Sequence, residues 1–142
     1  MTTATSSSEA VRPSSHAALR IALWAAQVGL AAMFLFSGWL KVSLSGAELS
    51  EMMSIPRVLG EPMTRFIGAC ELLGAVGLIL PALTRIKPWL TPLAAAALGL
   101  VMVLGALYHL SQGELGGIPI NIVLGAAAAF VAWGRMRAAP IA

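Results

Sequence analysis

Apolar residues along this chain occur in four long, continuous runs rather than in the alternating pattern of β-strands. The runs lie near residues 20–40, 64–84, 88–110 and 118–133. A helix of about 20 residues crosses the roughly 30 Å hydrocarbon core of a bilayer and satisfies its own backbone hydrogen bonds there. The pattern therefore predicts four membrane-spanning helices.

More polar segments precede, connect and follow these runs. Residues 1–19 are rich in Ser, Thr and Ala without apolar periodicity, which predicts a disordered tail. The longest connection, residues 42–63, contains the sequence AELSEMMS, which is typical of a short amphipathic helix at the membrane interface. Residues 138–142 form a second short tail, so we expect one membrane domain over residues 20–137.

The composition supports this interpretation. Of 142 residues, 58% are hydrophobic and 11% are charged, and a soluble fold of this length could not bury so much apolar surface. A single cysteine, Cys70, excludes an internal disulfide and a cysteine-rich zinc or iron–sulfur site within the chain. We therefore expect an integral membrane protein with the lipid bilayer as its main partner.

The basic residues near the ends of the runs predict an orientation. The N-terminal tail, the second connection and the C-terminus carry Arg12, Arg20, Arg85, Lys87, Arg135 and Arg137. The opposite side has fewer basic residues, namely Lys41, Arg57 and Arg65. By the positive-inside rule both termini are cytoplasmic, and the net charge of +3 then needs no nucleic-acid partner. The predicted fold class is all-α, a four-helix bundle that crosses the inner (cytoplasmic) membrane several times.

Glu71 is the one charged residue in the apolar stretch 66–84. An ionised carboxylate at the centre of a bilayer costs about 3 kcal/mol on insertion scales, so it needs a partner, a proton or a function. Two interpretations are open. Glu71 can be a structural pin within the bundle, or it can be a functional group that exchanges a proton.

Further polar residues are predicted to converge with Glu71 on the outer third of the bundle. The candidate catalytic residues are Glu71 and His109, and the candidate ligand-binding residues are Ser37, Lys41, Tyr108, Glu114 and Asn121. Each has a plainer alternative: Lys41 can extend to the head groups instead of pairing with Glu71, His109 can be structural, and Asn121 can cap the fourth helix. We expect no metal site, and no haem held by two histidines, because the second histidine, His16, lies in the N-terminal tail.

Several segments resemble the DoxX-like family of small four-helix membrane proteins, over residues 20–135. These segments are FLFSGWLK (34–41), GACELLGAVGLILPALTRI (68–86), PWLTPLAAAALGLVMVLGALYHL (88–110), GE (113–114) and AWGR (132–135). The S-G-x-x-K motif ending at Lys41 and the G-x-x-E-L-L-G motif around Glu71 are the most specific.

The resemblance implies quinone-linked or other redox work. Proteins of the broader group are similar to subunits of a thiosulfate:quinone oxidoreductase and to a membrane partner of thiol-stress enzymes. By this resemblance Glu71 would exchange a proton with a quinone head group, and His109 and Lys41 would donate hydrogen bonds to it.

Three functions from different classes remain. The chain can be an accessory subunit that binds a quinone or similar lipophile and supports a redox partner. It can be a small permease or scaffold fixed by a buried Lys41–Glu71 pair. It can be a stand-alone enzyme with Glu71 and His109 as acid and base, although the sequence contains no G-x-S-x-G or H-E-x-x-H motif. We adopt the first. Because the sequence has no flavin or haem motif and no cysteine pair, its electrons would come from a soluble or membrane partner, and assembly into an oligomer is left open.

Overall fold

The computed structural model describes residues 15–141, which are almost entirely helical and contain no strand. The α-helices in chain order are α1 (Ser15–Ser43), α2 (Gly46–Met52), α3 (Ile55–Leu59), α4 (Glu61–Thr84), α5 (Leu90–Gln112) and α6 (Ile118–Trp133). A 3-10 turn, Leu115–Gly117, leads into α6, and a π-helical turn, Gly134–Ala138, follows it. The helices α1, α4 and α5 are long and apolar enough to cross a membrane, and so is α6 together with its two flanking turns, Leu115–Ala138, so the predicted four-helix membrane fold is confirmed.

The helix bounds differ from the predicted spans mainly at the start of the chain. Helix α1 begins at Ser15, so residues 15–19 are helical although we expected a disordered tail there. The residues that follow Ser15 include Ala17, Ala18 and Leu19, which are strong helix formers, so the helix extends to residues before the apolar run. The rest of the predicted tail, residues 1–14, and the last residue of the C-terminal tail lie outside the described residues.

The longest connection forms two short helices rather than one. Helix α2 begins with a capping box, in which the Ser45 hydroxyl accepts a hydrogen bond from the Glu48 backbone N–H and the Glu48 carboxylate accepts one from the Ser45 backbone N–H. The Ser45 hydroxyl also donates to the Glu48 carboxylate at 2.7 Å, and this hydrogen bond first, with the one from the Ser45 backbone N–H second, stabilises the carboxylate and lowers the pKa of Glu48. Leu49 of α2 is fully buried, so this connection is anchored to the rest of the protein.

The four long helices form a closed ring in which α1 packs on α4, α4 on α5, α5 on α6, and α6 on α1. Their facing sides build one apolar core, which includes Phe34, Leu78, Leu98 and Val131. The outward sides carry many exposed large apolar residues, including Phe36, Leu73, Leu100 and Val123. Such a continuous apolar surface would be a liability in water, and it fits a lipid environment.

Charges separate between the two ends of this bundle. We call the end that holds the start of α1 and the end of α6 the termini end, and the other the loop end. Among the described residues, the termini end carries Arg20, Arg85, Lys87, Arg135 and Arg137 and no acidic residue, whereas the acidic residues outside the bundle lie at the loop end. The fifth described glutamate, Glu71, lies near the middle of α4.

Candidate functional site

Lys41 and Glu71 form an ion pair inside the bundle. The Lys41 Nζ lies 2.9 Å from Glu71 Oε2 and 3.1 Å from Oε1, and the two side chains are only 7% and 4% exposed. The ammonium also donates a hydrogen bond to the hydroxyl of Ser37, one turn earlier on α1. Lys41 therefore points into the bundle rather than out to the head groups.

Glycines bring α1 and α4 close enough for this pair to form. A Cβ atom added to Gly38 would lie 2.7 Å from the Gly68 carbonyl oxygen, and one added to Gly68 would lie 2.6 Å from Lys41 Cβ. Real side chains do not approach so closely, so both positions need glycine. Small residues let membrane helices pack tightly. The S-G-x-x-K and G-x-x-E motifs therefore act together as one packing unit that positions the charges.

The pair holds a proton donor, the Lys41 ammonium, beside a proton acceptor, the Glu71 carboxylate. Two opposite charges in an apolar interior attract strongly, and each would be costly to bury alone. Transfer of one proton from the Lys41 ammonium to the Glu71 carboxylate would leave two neutral groups without changing the total charge of the site. Such a pair can accept or deliver a proton at hydrocarbon depth, where few side chains can do so.

A second polar group lies at the loop end, formed by Ser54, Tyr108, His109 and Glu114. The Tyr108 hydroxyl donates to Ser54 Oγ at 3.0 Å, and His109 Nδ1 lies 2.9 Å from Glu114 Oε2. Hydrogen bonds from Ser54 first, and from His109 second, stabilise the carboxylate and lower the pKa of Glu114. All four side chains are half-buried, so this group borders the solvent or the lipid head groups.

Asn121 packs between two helices. Its Nδ2 donates to the Gly117 carbonyl oxygen at 2.7 Å, and a Cβ atom added to Gly105 of α5 would lie 2.6 Å from its Oδ1. The N-cap of α6 is Gly117, so Asn121 lies in the first turn and does not cap the helix. Asn121 is buried and faces α5.

Six of the seven predicted site residues thus fall into two groups, and Asn121 belongs to neither. Ser37, Lys41 and Glu71 are joined by direct hydrogen bonds, and Tyr108, His109 and Glu114 belong to the loop-end group. Within residues 15–141 no hydrogen bond connects one group with the other. Cooperation between Glu71 and His109 would therefore need a ligand or water between them.

An interaction of Gln27 and Arg135 was missed by the sequence reasoning. Gln27 is fully buried; its Nε2 donates to the Leu78 carbonyl oxygen at 2.8 Å, and its Oε1 accepts from Arg135 Nε at 2.6 Å. The Arg135 guanidinium lies 5.3 Å from the centre of the Trp24 ring. A glutamine within an apolar run signals a hidden partner, because buried polar groups are nearly always hydrogen-bonded. The identity of that partner depends on the tertiary fold.

An apolar groove of about 440 Å³ runs between α4 and α5 on the lipid-facing side. It begins at Leu73 and Gly74, within one turn of Glu71, and extends toward Leu90. Its walls are almost wholly apolar, and its volume is in the range typical of sites for small organic ligands. The groove suits the tail of a lipophilic molecule.

Four apolar helices in a closed ring, with a buried ion pair and a lipid-facing surface, define a small multi-pass membrane protein. More particularly, the chain belongs to the DoxX-like family, a model of which matches residues 25–131. No curated protein and no solved structure gives a significant match.

Proposed function

We propose that this chain is a membrane-embedded subunit that binds a quinone or similar lipophile and supports a separate redox partner. The observation that carries the proposal is the Lys41–Glu71 pair, which is buried among apolar helices with both carboxylate oxygens within hydrogen-bond reach of the ammonium. Intramembrane ionisable residues are expensive, and they often mark proton relays or ligand sites.

Quinone chemistry would use this pair directly. A quinone takes up protons as well as electrons when it is reduced, so its site needs a proton donor at the depth of the head group. Glu71 with Lys41 can supply one. The groove between α4 and α5 begins within one turn of Glu71 along α4 and offers an apolar surface for a tail. Glu71 does not line the groove, and its carboxylate faces Lys41 of α1, so a head group would have to reach the pair from between the helices.

The electrons would come from another protein. The chain has a single cysteine, Cys70, so it cannot form a dithiol pair of its own. The resemblance of this family to subunits of quinone-linked enzymes favours the same division of labour, in which the membrane subunit holds the lipophile and the partner carries out the electron transfer.

A structural scaffold is the second candidate. It is favoured by the glycine contact between Gly38 and Gly68, which makes the Lys41–Glu71 pair part of a tight helix crossing. In that case the pair would fix the bundle for a partner or a transport path, and no lipophile would depend on it.

Copurification of quinone tests the proposal. We expect protein extracted gently from its native membranes to carry quinone, measured by solvent extraction and mass spectrometry, and Glu71→Gln to carry at least tenfold less. The matched control is Glu61→Gln, the same chemical change on the same helix at an exposed position paired with Arg65. This control should keep its quinone. Native protein without quinone, or equal retention in Glu71→Gln and the wild type, would overturn the proposal.

A further inference from the structure

A cavity of about 350 Å³ opens at the termini end, opposite to the loop-end group. It lies between the start of α1, the end of α4 and the segment that follows α6. Three arginines, Arg20, Arg85 and Arg135, line it together with His16 and Trp24. No acidic side chain of the described residues is among its walls. The cavity is therefore strongly positive.

Arg135 is the most unusual of these residues. It is only 5% exposed and is fixed in place by its hydrogen bond to Gln27, a longer one from Nη1 to the Ala139 carbonyl oxygen at 3.4 Å, and the face of Trp24. Its Nη2 is buried and has no hydrogen-bond partner among the described residues. No carboxylate of the described residues forms a salt bridge with this guanidinium.

A buried cation without a counter-ion is costly, and a buried donor without an acceptor is rare in native proteins. Both costs would fall if an anion occupied the cavity beside Arg135. The exposed side chains of Arg20 and Arg85 are free to close on such an anion from two sides, because neither forms a salt bridge with a described residue.

We propose that this cavity binds a phosphate-bearing anion. Arg20 and Arg85 would contact the phosphate oxygens, since the planar guanidinium matches two of them at once, and Arg135 would supply a fixed charge from behind. Basic pockets at the ends of transmembrane helices are suited to anionic lipid head groups, and a soluble phosphate compound would present the same oxygens. The site shares no residue with the Lys41–Glu71 pair and does not depend on the function proposed for that pair.

Two binding measurements on the full-length protein separate the two sources. Native mass spectrometry after gentle extraction counts phospholipids that stay bound, and melting of delipidated protein in detergent, at constant ionic strength, reports binding of inorganic phosphate. The site variant is the double substitution Arg20→Gln/Arg85→Gln, at two exposed positions. The control is Arg137→Gln, an exposed arginine at the same end that does not line the cavity.

We expect the wild type to retain an anionic phospholipid, and the double variant to bind it at least tenfold more weakly, because each basic residue near an anionic group contributes roughly a fivefold factor. Arg137→Gln should bind like the wild type. Stabilisation by inorganic phosphate without retained lipid would assign the site to a soluble anion. The proposal is overturned if the wild type binds neither, or if Arg137→Gln loses as much binding as the double variant.

Discussion

At the scale of single residues, Lys41 and Glu71 depend on each other. Removing either charge leaves the other buried and unpaired, which typically costs 3–5 kcal/mol, whereas removing both spares this penalty. We therefore expect Lys41→Met and Glu71→Leu each to lower the melting temperature in detergent strongly, and the double variant to melt well above either one.

The exposed pair Glu61–Arg65 provides the control for this cycle. Its side chains are 40–46% exposed, and surface ion pairs contribute at most about 1 kcal/mol, so Glu61→Gln should have little effect on melting. If the double variant melts no higher than the less stable of the two single variants, the two buried charges are not coupled.

Substitution by alanine is expected to have different effects on stability at Gly68 and at Gly29. In Gly68→Ala the new Cβ would meet Lys41 Cβ at 2.6 Å and force α1 and α4 apart, so we expect a loss of about 1–3 kcal/mol. Gly29→Ala meets nothing within 4 Å and should be neutral or slightly stabilising, because alanine favours the helix. Melting in detergent compares the two, and equal effects would contradict the close crossing of the helices.

The sequence indicates that Glu71 is a special residue but does not indicate that Arg135 is buried, and the difference has a physical reason. Glu71 was conspicuous because a carboxylate in an apolar run is costly anywhere in a membrane helix. Arg135 was interpreted as a topology signal because basic residues near span ends are common, and only the fold shows that its side chain turns inward to Gln27.

At the scale of elements, Ser54, just before α3, interacts with Glu114, just after α5, and this interaction predicts a shift in the pKa of Glu114. Ser54 contributes most to lowering the pKa of Glu114 below its ordinary value of 4.5. We therefore expect Ser54→Ala to raise this pKa toward 4.5, as measured by NMR titration of the Glu114 carboxyl carbon. Ser50→Ala is the control, because the Ser50 hydroxyl donates to the Gly46 carbonyl oxygen within α2.

The same hydrogen bonds give the loop end a dependence on pH. A carboxyl whose pKa is lowered by folding stabilises the folded form above its unfolded value, here about 4.5, and that contribution disappears as the pH falls through the lower folded value. Acidification below pH 4.5 should therefore weaken the hydrogen bonds that Glu114 accepts within the loop-end group. If the pKa of Glu114 is the same in Ser54→Ala as in the wild type, the interaction between Ser54 and Glu114 is contradicted.

The spans themselves were predictable, whereas the inward faces of the helices were not. In a membrane the lipid-facing and core-facing sides of a helix are both apolar, so the hydrophobic pattern does not distinguish them. Leu73 and Leu78 are chemically alike, yet Leu73 is 73% exposed and Leu78 is fully buried. Small and polar residues, such as Gly68 and Glu71, determine which face packs.

At the scale of the whole molecule, the separation of charge predicts an orientation that can be measured. The positive-inside rule predicts that the termini end faces the cytoplasm. A cysteine introduced as Ser111→Cys, at the loop end, should react with an impermeant thiol reagent in intact cells. Ile86→Cys, between α4 and α5 at the termini end, should react only after lysis.

The parent protein with its natural Cys70 gives the background for this labelling, since Cys70 is half-buried within α4. Labelling of Ile86→Cys but not Ser111→Cys in intact cells would reverse the orientation. The anion site would then face the opposite leaflet, with its chemistry unchanged.

The closed ring of helices also sets the order in which buried polar side chains meet their partners during synthesis. The partner of Lys41 lies 30 residues later in the chain, and Arg135, the partner of Gln27 Oε1, lies 108 residues after Gln27. When the first span enters the membrane, both side chains lack their partners. The ion pair and the hydrogen bond from Gln27 Nε2 to the Leu78 carbonyl oxygen can form once α4 is inserted, but Gln27 Oε1 must wait for Arg135, after α6. A nascent protein in which α6 is not yet inserted therefore carries an unsatisfied amide oxygen in its first span, a feature that distinguishes unfinished from finished molecules.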